Sequence, residues 1–113
     1  MELSEKELID ELIRFIGPRL TAFTAHSTSR AEFVLRAWSD GSAALHPAKL
    51  ERLKLALELL NDVAEAHGED QARAWFIGAN CGGELVSPTD AIHYGDFDGA
   101  KLSAKRFINE EWS

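Results

Sequence analysis

The stretch ARAWFIGANCGGELVSP, residues 72–88, sets the chain's single cysteine, Cys81, beside Asn80, Gly82 and Gly83 and just behind Trp75-Phe76. A nucleophile there would require a thiolate, a base to form it and a group to orient the base. None of the four histidines (His26, His46, His67, His93) is its neighbour in sequence. Asparagine turns a chain through its side-chain hydrogen bonds and glycine accepts positive φ, so the reading is a bend between two helices. The histidines show no H-x-x-x-H or cysteine-paired spacing that would set two metal ligands on one helix face. His67 precedes Gly68, at a helix end that favours a cation, and His93 is a candidate partner contact. No paired carboxylates, Ser/His set or phosphate loop stands out. The sequence therefore predicts no catalysis, no metal and no cofactor.

The other chemistry within reach is recognition of phosphate and base edges. Two short helices joined by a polar break across residues 20–38, with a long helix behind them, fit a helix-turn-helix. In that motif the first helix crosses the phosphate backbone and the second lays its amino-terminal residues in the major groove. Thr28, Ser29, Arg30 and Arg36 have the hydroxyls and guanidinium groups for this, while Phe33 and Trp38 would pin the helix to the core. The charge distribution bears on the same point. The formal net charge is −7, yet residues 17–60 carry six bases against four acids. Residues 1–16 carry five acids against two bases, and residues 61–113 ten against four. A mildly basic middle between acidic flanks fits a phosphate-facing segment whose flanks repel phosphate or meet a basic protein. An unevenly composed solvated surface fits it too.

The elements that must position these residues all follow a helical period. Ser4 with Glu7 makes a capping-box start, and Leu8, Leu12, Phe15 and Ile16 line one face until Gly17-Pro18. Leu20 to Ala25 is a short apolar helix. Ser29 caps a third helix that carries Phe33, Val34, Leu35 and Trp38 and ends near Asp40-Gly41. Pro47 opens the longest helix, where Leu50, Leu53, Leu57, Leu60 and Ala64 form a stripe widened by Leu55, Ala56 and Leu59. That width predicts a helix through the centre of the fold, ended by Gly68. A short helix runs from Glu69 to Ile77, and another from Ser87-Pro88 to Tyr94. The last begins near Asp98, with Ala100, Ala104, Phe107 and Ile108 inward and Lys101 and Lys105 outward. Trp38, Trp75 and Phe76 read as core anchors. No strand pattern competes, and the expected fold is all-α.

Two blocks resemble a known family. IGPRLTAFTAHSTSRAEFVLRAWSDG followed by LERLKLALELL resembles the Xre-type head of the Xre/MbcA/ParS antitoxins. ARAWFIGANCGGELVSPTDAIHYGDF resembles their carboxy-terminal toxin-binding region through Trp75, Asn80, Gly82 or Gly83, Pro88 and Gly95. The resemblance spans roughly residues 15–108 and is the more specific in the second block. It implies a helix-turn-helix head with the central helix over residues 1–67 and a toxin-binding helical region over 68–113. It further implies a partner toxin of the RES-domain class that acts on NAD or transfers ADP-ribose. The antitoxin covers the toxin's active-site entrance, and the complex represses its own operon. Homodimers and hetero-oligomers with the toxin are expected.

On this reading Pro88, Ile92 and Tyr94 anchor the toxin, helped by Lys101 and Lys105. The terminal RFINEEWS offers Glu111 and Trp112 as a plug, or is a frayed tail. The head departs from the pattern in His26, which follows Ala25 where glycine is common, and in Glu32, which is negative where DNA would lie. A head kept only as scaffold therefore stays open. So does the alternative of a stand-alone helix-turn-helix regulator with an acidic dimerisation tail. The acidic MELSEKELIDE start lacks the basic-then-apolar form of a secretory signal, and no apolar run approaches the ~20 residues of a membrane span. One cysteine cannot form an internal disulfide. The expected setting is the cytoplasm, away from membranes.

Overall fold

The computed structural model describes residues 4–25, 36–38, 46–78 and 87–109. Six helices are delimited among them: α1 (Glu5–Ile16), α2 (Pro18–Thr24), α3 (Pro47–His67), α4 (Glu69–Phe76), α5 (Pro88–His93) and α6 (Phe97–Ile108). Residues 36–38 are helical as well, and no strand occurs among the described residues. The fold is all-α.

Local chemistry sets most of the boundaries. Ser4 Oγ accepts from Glu7 N at 3.1 Å while Ser4 N donates to Glu7 Oε1 at 3.2 Å, which closes the expected capping box. α1 ends at Gly17, whose φ of +87° and ψ of 165° suit only glycine. Pro18 then opens α2 directly, two residues ahead of the expected start at Leu20, because proline's fixed φ is already helical and its missing N–H is not needed there. Pro47 opens α3 in the same way, and His46 Nδ1 caps it by accepting from Ala48 N at 3.1 Å. Gly68, at φ +95° and ψ 161°, turns α3 into α4 without a connecting loop. Asp96 caps α6 by accepting from Gly99 N at 3.0 Å, so that helix begins at Phe97.

α3 is the axis of the molecule. It packs against α1, α2, α4, α5 and α6, and buries Leu53, Leu55, Ala56, Leu57, Leu59, Leu60 and Val63. These residues surround most of the helix, as a helix enclosed by neighbours requires. Leu50 and Ala64 lie at the ends of the expected stripe and are only partly buried, and Val63 completes the core instead. Around this axis close Leu8, Ile9, Leu12 and Phe15 of α1, Ala72, Trp75 and Phe76 of α4, and Ala100, Ala104 and Phe107 of α6. Trp38 and Trp75 are both buried, as expected of anchors. One cluster therefore joins residues on both sides of Gly68. The expected 67/68 boundary falls at a helix corner inside that shared core.

Polar ties cross the same core. Thr24 and Thr89 share a buried hydroxyl–hydroxyl hydrogen bond of 3.0 Å between α2 and α5. Trp75 Nε1 donates to Ser103 Oγ at 3.1 Å. Outside it, Arg14 of α1 bonds Glu69 of α4 at 3.2 Å and also pairs with Glu11. Both carboxylates raise the Arg14 pKa, Glu11 the more. Such exposed pairs contribute little to stability.

Candidate partner-binding surface

Among the described residues three large apolar side chains are exposed: Tyr94 at the corner between α5 and α6, Leu102 on α6, and Ile77 just after α4, 51% exposed. Tyr94 is 73% exposed and Leu102 49% exposed, in a molecule whose other large apolar groups are mostly enclosed. On α6 the residues Asp98, Leu102, Lys105 and Asn109 recur every three to four positions and are all exposed, so they form one outward face. Lys101 is exposed at the edge of that face nearest α3, where it lines a groove with Phe97. The inward face is Ala100, Ala104 and Phe107, as the periodicity predicts, while Ile108 is only partly buried.

Two of the expected toxin contacts are corrected. Pro88 and Ile92 are fully buried in this chain's own core, so neither offers surface to a partner. α5 has six residues and is packed by α2, α3, α4 and α6, which leaves its apolar side chains no outward direction. They support the corner instead. His93, expected as a partner contact, also turns inward. Its ring stacks on Phe23 with centroids 4.0 Å apart, and its Nδ1–H donates to the Phe23 carbonyl. Tyr94 packs edge-on against the same imidazole at 4.6 Å, so the exposed phenol stands on a fixed base.

The residue that holds the corner is Arg52 of α3, and nothing in its local sequence singles it out. Its Nε donates to the Ile92 carbonyl at 3.1 Å and its Nη1 to the Ala48 carbonyl at 3.2 Å. Its guanidinium lies 5.8 Å from the centre of the Phe97 ring, a cation–π distance. Gly95, at φ +85°, turns beside it, and a Cβ there would stand 3.5 Å from Nη2. One side chain thus joins the end of α5, the turn and the start of α6. At the far end of α6, His67 Nε2 faces the Phe107 and Ile108 carbonyls at 3.0 and 3.3 Å. It therefore donates to the end of α6, whereas its position beside Gly68 pointed to the end of its own helix, α3.

For DNA, Arg36 is exposed two residues before buried Trp38, so a tryptophan-pinned helix carries its guanidinium outward. Thr28, Ser29 and Arg30 lie outside the described residues, as do the Asn80-Cys81-Gly82-Gly83 bend and Glu111 and Trp112 of the tail. Among the described residues no group of three or more His, Cys, Asp or Glu stands together as a metal set. No described helix is long and apolar enough to cross a membrane. What the described surface can do chemically is bury an aromatic and an aliphatic side chain against a partner, with ammonium and carboxylate groups at the rim. Comparison with protein-family models, with curated proteins and with solved structures finds no match to this chain.

Proposed function

We propose that the chain is the antitoxin of a bacterial type II toxin–antitoxin pair, acting in the cytoplasm. Its partner is a RES-domain toxin that degrades NAD or transfers ADP-ribose. The observation that carries this reading is the α5–α6 corner, which lies within the block that resembles the family's toxin-binding region. There Tyr94 and Leu102 are exposed on a backbone pinned from beneath by Arg52, Pro88 and Ile92. Exposed apolar anchors on a rigid base suit tight binding, because little side-chain freedom is lost on association. Neutralisation asks no reaction of this chain. It needs only that the bound corner, with Lys101, Lys105 and the Glu111-Trp112 tail, cover the toxin's entrance.

The complex also represses its own operon through Thr28, Ser29, Arg30 and Arg36. The outward guanidinium of Arg36 beside buried Trp38 supports this part of the proposal. The test is co-expression of the tagged chain with the product of the adjacent gene. The two are expected to co-purify, and the variant Tyr94→Asp/Leu102→Asp is expected to lose the partner while keeping its helical circular dichroism. Undiminished co-purification by that variant would move the interface off this corner. Absence of any complex with the wild-type chain would end the antitoxin reading.

A further inference from the structure

α3 and the start of α6 bound an open groove of about 400 Å³. Its floor is Leu50 and Phe97, each partly buried, over the buried Leu55. Its walls carry Glu51, Lys54 and Glu58 of α3 and Lys101 of α6, all exposed. Among the described residues none of these four is in an ion pair. The lining of α3 runs from Pro47 to Glu58 along one helix face, about 16 Å or roughly three turns.

The groove adjoins the corner that carries Tyr94. Phe97 of its floor follows the Tyr94-Gly95-Asp96 turn directly. The Arg52 guanidinium that lies over that ring also binds the Ile92 carbonyl and stands against Gly95. A body seated on Tyr94 therefore reaches the edge of the groove. A standard interface draws roughly 800 Å² and about 20–30 residues from each partner. Tyr94, Leu102 and the outward charges of α6 are too few for that. The groove is the adjoining surface with an apolar floor and a charged rim, the make-up of an interface.

Its charges select what can lie there. Glu51 and Glu58 stand two helical turns apart on α3, with Lys54 between them and Lys101 on the other helix. A uniformly acidic or basic segment would meet as many like as unlike charges. A helix laid along α3 meets these groups turn by turn. Its complement has bases two turns apart, an acid between them and an apolar stripe against Leu50 and Phe97.

We propose that this groove receives an amphipathic α-helix of the toxin, with bases facing Glu51 and Glu58 and an acid facing Lys54 and Lys101. The assignment rests on the antitoxin reading and deepens it, since the resemblance gives only Lys101 of these residues to the toxin.

Titration calorimetry of the purified chain with the adjacent-gene product, at low and high salt, tests this. The variant Glu51→Lys/Glu58→Lys and the opposite change Lys54→Glu are each expected to weaken binding about tenfold or more, and less so at high salt. Two changes of opposite sign cannot both weaken binding through net charge alone. Glu65→Lys, at an exposed position of α3 outside the groove, is expected to bind like wild type. All these side chains face solvent, and circular dichroism of each variant checks that the helices persist. Groove variants that bind like wild type overturn the proposal and leave the antitoxin reading standing. Sedimentation in which the free chain dimerises and the same variants abolish the dimer also overturns it, because the groove then belongs to a second copy. A wild-type chain that forms no complex ends the antitoxin reading and this groove with it.

Discussion

Truncating Arg52 to alanine removes two carbonyl hydrogen bonds and a ring contact in one step. The Ile92 carbonyl loses its guanidinium donor, and the turn at Gly95 loses its support. Charged hydrogen bonds at partly buried sites contribute about 1.5–3 kcal/mol, so Arg52→Ala is expected to cost about 2 kcal/mol in urea unfolding. Arg52→Lys should recover less than half of that, because a single ammonium cannot serve both carbonyls and also lie flat on the Phe97 ring. Unchanged stability in Arg52→Ala would show that the corner holds its shape without the guanidinium. Residue-scale chemistry of this kind was poorly legible in the sequence, since Arg52 and Ile92 are 40 positions apart and no local pattern links them. His67 and the end of α6 are separated just as widely. By contrast, Ser4 and Glu7 are three positions apart, and their capping box was readable at once.

At the scale of elements, the helix junctions depend on backbone conformations more than on contacts. Gly68 has φ +95° and ψ 161°, and no atom lies within 4 Å of where its Cβ would stand. A substitution there is therefore strained by conformation alone. Gly68→Ala is expected to lower stability by about 1–3 kcal/mol, read as a fall in urea midpoint with an unchanged slope. An alanine variant as stable as wild type would mean that the α3–α4 corner relaxes into another conformation.

Glycine and proline carried much of what the sequence foretold about element order, since Gly17, Pro18, Pro47, Gly68 and Pro88 all stand at helix ends. Periodicity named the inward face of α6 correctly. On α5 it is the family resemblance that assigns Pro88 and Ile92 to the toxin, and both are buried. A six-residue helix has too few positions for a buried and an exposed face to be told apart, and only the packing of its neighbours decides. Leu50 and Leu102 show the same limit from the other side, since an apolar residue in a helical pattern need not be enclosed.

For the whole molecule, the question is whether its surfaces meet a partner. The three histidines among the described residues serve as structural donors, acceptors and stacking surfaces: His46 caps α3, His67 binds the end of α6 and His93 stacks on Phe23. Among the described residues, Tyr94, Ile77 and Leu102 are the large apolar side chains that face outward. A protein that neutralises by covering another's active site should change that partner's output without turning over anything itself. The most direct measurement is the NAD content and growth of cells that express the adjacent-gene product, with and without this chain. The account predicts that the product alone depletes NAD and arrests growth, and that co-expressing this chain restores both. NAD and growth that stay equally low when both proteins are made in quantity would contradict it.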